Sequence, residues 1–404
     1  MKILFIHQNM PGQFVHLATQ LAEDPANEVV FLTKRHDVDL PGVTRLSYAP
    51  PRPAHPSTHH YVRLFENGVL HGQQVVRVCL DLQRRGFRPD LIVAHPGWGE
   101  ALFVKDIFPA TPLLNYCEFY YSGTGADVGF DPADPADIDT VCRARARNAH
   151  LLLSLESCDR GISPTEWQKS RHPAPYRSKI SVIFDGIDTG TVRPDPAASV
   201  ALPNGRVLTA ANEVVTYVAR NLEPYRGFPT FIRSLPELCR RRPDAQIVVV
   251  GGDEVSYGRP PKDGGSWREA MAREVALDPA RVHFLGKIPY GRYLDLLRIS
   301  SAHVYLTVPF VLSWSFMEAM ASECLILASS TAPVLEVIED GRNGLLVDFF
   351  SPGALAERVA DALANRAALA PLRRRAGETV MERYALSKCL PAQVALVREM
   401  AAAG

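Results

Sequence analysis

"VVTYVARNLEPYRGFPTFIRSLPELCRRRPDAQIVVVGG", residues 214–252, holds two short apolar runs separated by a segment whose hydrophobic residues recur at helical spacing. The runs are too short for helices and rich in valine, so they read as strands. "FPTFIRSLPELCRRR" between them reads as an amphipathic helix ending in arginines, which complement the helix dipole. Strand, helix, strand is a βαβ unit, and strands without polar alternation belong to a parallel sheet covered on both faces.

The pattern extends in both directions. Downstream, "VHFLG", "HVYLTV", "CLILAS" and "GLLV" are strands, with helices in "YGRYLDLLRIS", "SFMEAMASE" and the tail from Pro352. Upstream, "KILFI", "EVVFLT", "PDLIVAH", "TPLLNYC" and "ISVIFDG" are strands separated by helical stretches such as "FVHLATQLAED" and "GVLHGQQVVRVCLDLQRRG". Residues 189–206, with Pro194, Pro196, Pro203, Gly190 and Gly205 and little periodicity, read as a linker. A chain of 404 residues is too long for one ordinary core. The expectation is an α/β protein with an N-terminal Rossmann-like domain over 1–188 and a second over 207–380. Residues 381–404 are expected as a helix packing back on the first domain. Two such domains leave a cleft at the strands' carboxyl ends, where ligands bind.

Lysine plus arginine equals aspartate plus glutamate at 44 each, so the chain is no basic nucleic-acid module. Seven scattered cysteines without a C-x-x-C pair indicate neither a disulfide framework nor a zinc knuckle. A reducing cytoplasm fits them best. The apolar run opening "MKILFIHQNMPGQF" is shorter than a signal-peptide core or a membrane span. Basic clusters such as Arg84–Arg85 keep peripheral membrane contact open.

Four features carry chemistry. Arg220 ends a strand and Arg226 follows six residues on, before Gly227 and a helix start. Two planar guanidiniums beside a helix N-terminus suit a diphosphate. Gly251 and Gly252 end the next strand and let a ligand approach the backbone. Gly12 opens the first helix, yet no G-x-G-x-x-G surrounds it, which argues against a dinucleotide fingerprint. Finally, "VPFVLSWSFMEAMASECLILAS", residues 308–329, carries one carboxylate, Glu318, a turn inside a helix. It is either a solvent-facing helix residue or an acceptor for a vicinal diol such as ribose.

"RNLEPYRG", "VVVGGD", "VHFLGKIPYGRYLDLLRISSAHVYLTVP", "MEAMASECLILASSTAPVLEVIEDGRNGLLVD" and "ISVIFDGIDTGTVRP" together resemble the GT4 family of retaining, GT-B fold glycosyltransferases. The resemblance implies that Arg220 and Arg226 bind the donor diphosphate, with arginine in place of the usual lysine at 226. It implies that Glu318 is the second glutamate of an E-x7-E pattern, holding the ribose. The first glutamate should fall at Phe310, so the acid is absent. Recognition of the sugar is then expected from backbone N–H groups around Leu312, Ser313, Trp314 and Ser315, from the two serine hydroxyls, or from another loop. Where the family has a catalytic-site histidine this chain has Glu118, followed by "FYY", a possible sugar-stacking wall. His95, in "VAHPGWGE", ends the preceding strand. Either Glu118 or His95 is the key group there.

The expected activity is transfer from a UDP- or GDP-sugar to a glycan, lipid-linked or small-molecule acceptor, with no cofactor and no metal. "DVGFDPADPADIDT" lacks EF-hand spacing, and His55, His59 and His60 sit in a proline-rich loop. The alternatives are a sugar-nucleotide epimerase of the same fold and a non-catalytic nucleotide-sugar or glycan-binding protein.

Overall fold

The computed structural model describes residues 1–403. The chain divides into two compact units, Met1–Gly186 with Ser387–Gly404, and Ile187–Leu386.

The first unit is built on seven parallel strands: β1 (Lys2–Ile6), β2 (Glu28–Thr33), β3 (Val43–Ser47), β4 (Leu91–Ala94), β5 (Leu113–Tyr116), β6 (Arg160–Ser163) and β7 (Ile180–Val182). Their order is β3-β2-β1-β4-β5-β6-β7. Successive residues of β1 point to opposite faces, as strand geometry requires. Ile3 and Phe5 pack with the Val15–Ala22 helix and with Leu396, Val397 and Met400 of the Leu386–Ala403 helix. Leu4 and Ile6 pack on the other face against Val75, Cys79 and Leu82 of the Arg63–Arg84 helix. Phe5 and Phe31 are wholly buried and stacked at 5.7 Å, each contributing roughly 1.5–3 kcal/mol. The continuous apolar pattern of these strands therefore has its cause in two covered faces.

The second unit has six parallel strands, β10 (Val214–Asn221), β11 (Gln246–Gly252), β12 (Val282–Gly286), β13 (Ala302–Tyr305), β14 (Ile326–Ser329) and β15 (Leu345–Val347). They run in the order β12-β11-β10-β13-β14-β15. A hairpin of β8 (Ser199–Ala201) and β9 (Val207–Thr209) adds Val200 and Leu208 to the core around Val214, Val248 and Leu296. The proline-rich segment 189–206 thus differs from its reading as a linker. It belongs to the second unit, and β8 lies within it, because Val200 and Leu202 have apolar partners to bury against.

In both parallel sheets the order reverses beside the first strand of the sheet, between β1 and β4 and between β10 and β13. The loops leaving these four strands are the ligand-binding positions of a doubly wound sheet.

Candidate active site

In the first unit the loop after β1 begins at His7, which is 2% exposed. Its Nδ1 accepts the Asn9 N–H at 2.9 Å, and its Nε2 lies 2.8 Å from Gln13 Oε1. Gln13 Nε2 donates to Glu118 Oε1 at 2.8 Å. The other oxygen of Glu118 lies 3.5 Å from His95 Nε2. Sequence reasoning singled out Glu118 and His95 separately, and the structure brings them together. His95 Nδ1 accepts the Gly97 N–H at 3.1 Å, leaving its proton on Nε2. Its ring is stacked between Trp98, at 4.8 Å, and Tyr116, at 5.4 Å.

Burial, with His95 as neighbour, depresses the His7 pKa to about 3, so its imidazole is neutral near pH 7. Glu118 is fixed from its backbone as well, since Gln168 Nε2 donates to its carbonyl at 2.7 Å. Its side chain remains 31% exposed and accessible to a ligand. Phe119, directly after it, is buried against Trp167, whereas Tyr120 and Tyr121 are half-buried. Beyond β4, Glu100 is fully buried and accepts from Tyr48 Oη at 2.6 Å. Burial raises its pKa above the ordinary carboxylate range.

In the second unit Arg220 is exposed at the end of β10. Arg226, by contrast, is 8% exposed and already engaged. Its guanidinium donates to Thr307 Oγ1 at 2.7 Å, Val311 O at 3.0 Å and Tyr305 Oη at 3.1 Å. It therefore braces the loop between β13 and the Trp314–Ala321 helix. Gly227 has φ +64°, and a Cβ there would lie 2.4 Å from Leu306 Cβ, so only glycine lets this turn pack against β13's exit. Gly251 and Gly252 end β11, and Gly252 O accepts the Leu222 N–H at 2.8 Å.

In the loop after β13 two of the candidate backbone donors are already occupied. Ser313 caps the helix by accepting the Ser315 N–H at 3.2 Å, and its own N–H donates to Tyr305 Oη at 3.0 Å. Two of the N–H groups expected to serve a sugar are thus used in building the turn, because an N-cap must satisfy the first donors of its helix. Leu312 is buried and Trp314 is exposed. Phe310, where the acid is missing, is 6% exposed and packs on Tyr225 at 5.5 Å and Tyr257 at 5.1 Å. Tyr257 is held there by Glu223, a buried carboxylate that accepts the N–H groups of Ser256, Tyr257 and Gly258 at 3.1, 3.2 and 2.8 Å.

Glu318 is neither a lone solvent-facing carboxylate nor buried. Tyr290 Oη and Tyr293 Oη donate to its two oxygens at 2.6 and 2.7 Å. The tyrosines flank one turn of the Tyr290–Arg298 helix, a spacing visible in "YGRY" but with no local sign of its partner. A carboxylate has about four acceptor positions, so this one keeps capacity for a diol.

Among the described residues no group of three or more His, Cys, Asp or Glu side chains is placed to hold a metal ion. His60 instead lies 3.2 Å from Asp139, which also accepts from Tyr61 Oη at 2.8 Å. No helix among the described residues is long and apolar enough to cross a membrane.

Residues 25–192 match the model of the glycosyl transferase family 4 group, and residues 206–383 match that of glycosyl transferases group 1. A GDP-mannose-dependent alpha-(1-6)-phosphatidylinositol monomannoside mannosyltransferase of Mycobacterium tuberculosis is 30% identical over 220 residues, 50% of this chain and 50% of that protein. A D-inositol 3-phosphate glycosyltransferase of a Nocardioides species is 26% identical over 203 residues, 47% of this chain and 42% of the relative. The chain thus spans half or less of these relatives' own lengths. Among solved structures, sucrose-phosphate synthase from Thermosynechococcus elongatus superposes with a TM-score of 0.71 at 18% identity, covering all of both chains. Anabaena HepE in complex with UDP-glucose gives 0.68 at 16% identity, covering 99% of this chain and all of HepE. Two parallel-sheet α/β units with these neighbours make the fold GT-B. The chain belongs to the GT4 family of glycosyltransferases.

Proposed function

We propose that this protein transfers a glycosyl group from a UDP- or GDP-sugar to an acceptor hydroxyl with retention of configuration. One conjunction at the second unit's switch point carries the reading. An exposed Arg220, a loop braced by Arg226 that ends at a helix start, and Glu318 fixed by two tyrosines lie on neighbouring elements. Arg220 and the helix start supply positive potential for a diphosphate, and Glu318 supplies acceptors for ribose hydroxyls. The UDP-glucose bound by HepE and the GDP-mannose dependence of the mannosyltransferase relative support UDP- and GDP-linked donors respectively.

In the reaction the bond between the anomeric carbon and the diphosphate oxygen breaks and the acceptor oxygen bonds to that carbon on the same face. The acceptor proton passes to the departing phosphate oxygen. Charge grows on the diphosphate as it leaves, so preorganised donors accelerate the step with no metal in the reading. Glu118, with His95 beside it, orients the reacting sugar or the acceptor hydroxyl in the first unit. The acceptor is a glycan, a lipid-linked molecule or a small molecule, and the protein makes peripheral contact with a membrane surface where the acceptor is lipid-linked.

The test is release of nucleoside diphosphate from UDP- and GDP-sugars with an acceptor panel, and NMR of the product's anomeric proton. Donor turnover with an α-linked product from an α-linked donor is expected. No release with any donor and acceptor, or an inverted product, would overturn it.

A further inference from the structure

The contacts around Glu118 form a directional series. The Asn9 N–H occupies His7 Nδ1, so the imidazole proton resides on Nε2 and is donated to Gln13 Oε1 at 2.8 Å. That contact fixes which end of the Gln13 amide faces Glu118, and its NH2 group donates to Glu118 Oε1 at 2.8 Å. We infer that His7 and Gln13 are positioning residues that hold the Glu118 carboxylate in one orientation, so that Oε2 faces His95 Nε2 at 3.5 Å and keeps acceptor capacity for the substrate. The inference rests on the reading of Glu118 as an active-site group.

Three observations give the series its direction. Gly12 adopts φ +51°, and a Cβ there would lie 2.5 Å from His7 Nε2, so the turn places Gln13 over the imidazole only with glycine at this position. His7 and His95 lie 4.8 Å apart between ring centroids, and their burial keeps His7 neutral. A neutral His7 with its Nδ1 occupied has one donor left, so the polarity of the series does not invert near neutral pH. Gln13 itself is only half-buried. Its side chain is not needed to fill a core, yet it spans from the first loop of the chain to the residue after β5. An amide that reached solvent would meet no such requirement.

The experiment compares Gln13→Met, His7→Phe and the double variant with Glu118→Gln, measuring kcat, donor KM and thermal midpoint. Methionine matches glutamine in length and removes both hydrogen bonds. Gln13→Met is expected to lower kcat by about ten- to hundred-fold, with donor KM and midpoint nearly unchanged. His7→Phe should be slower than the parent, and the double variant no slower than Gln13→Met alone, because His7 acts only through the amide. Full kcat in Gln13→Met, or losses that multiply in the double variant, would overturn the relay. Should His7→Phe not fold, Gln13→Met decides alone. If Glu118→Gln slows the enzyme and Gln13→Met does not, only the relay fails. If Glu118→Gln keeps full kcat, the reading of Glu118 fails first and takes the relay with it.

Discussion

The two units repeat one topology and use it for opposite electrostatics. At the switch point of the first, the loops after β1, β4 and β5 bring together His7, Gln13, His95 and Glu118, none of them a permanent cation. At that of the second, the corresponding loops hold Arg220 and Arg226 beside a helix start. In the function proposed above, one sheet topology thus serves hydroxyl chemistry at the first switch point and a diphosphate at the second, the difference lying in the side chains at the strand exits. The second site also separates its arginines, with Arg220 exposed and Arg226 engaged in holding the loop.

The most severe test of this division is Glu118→Gln, which keeps size and removes charge. If Glu118 acts on the reacting groups, kcat should fall by about a hundred-fold or more with little change in donor KM. A rise in donor KM alone would move Glu118 into the donor site and erase the contrast.

The arginines sharpen the second half of the comparison. Arg220→Ala should weaken donor binding by about 1.5 to 3 kcal/mol, the range for a charge-assisted partner, and leave the thermal midpoint in place. Arg226→Ala should lower both, because Tyr305, Thr307 and the Val311 carbonyl lose their shared donor. Calorimetric titration with UDP and GDP, beside thermal melts, separates the two roles. Equal midpoints for both variants would show that the loop does not depend on Arg226.

Glu318→Gln is milder, since glutamine still offers an acceptor to one tyrosine. It should raise donor KM by roughly ten-fold, with kcat nearly constant, and an unchanged KM would return Glu318 to an ordinary helix residue. The effect of pH falls on stability instead of on donor KM. His7 and His303 are buried neutral, each with a pKa lowered to about 3. In the unfolded chain they take up protons at an ordinary histidine pKa, so their contribution is complete above about pH 6.5 and is lost as pH falls towards 3. Melts at pH 7 and 4.5 should therefore show a lower midpoint in acid, and His303→Asn should reduce that dependence. The smallest expected effect is none: turnover should survive EDTA, and loss reversed by a divalent ion would place a cation in the reading.

Much of the fold was legible because a parallel sheet buried on both faces writes its strands as apolar runs. Each of "KILFI", "EVVFLT", "VVTYVAR" and "AQIVVVGG" lies in or overlaps an observed strand. β3, "VTRLS", escaped this reading because it is an edge strand with exposed Thr44 and Ser47. The β8–β9 hairpin escaped it because its residues alternate exposed and buried and its segment is rich in proline. Among the candidate site residues, Arg220, Arg226, Gly227 and Glu318 were visible since each sits beside a strand exit that can be read locally.

By itself, the sequence determined two βα series, the strand ends where chemistry could gather, and the residue types available there. Only the tertiary structure decided which of those residues meet. Gln13 and Glu118 are 105 positions apart, and Tyr293 and Glu318 are 25 apart. Periodicity records what each residue buries against, whereas a hydrogen bond between two elements distant in the chain depends on strand order, and that is settled when the sheet assembles.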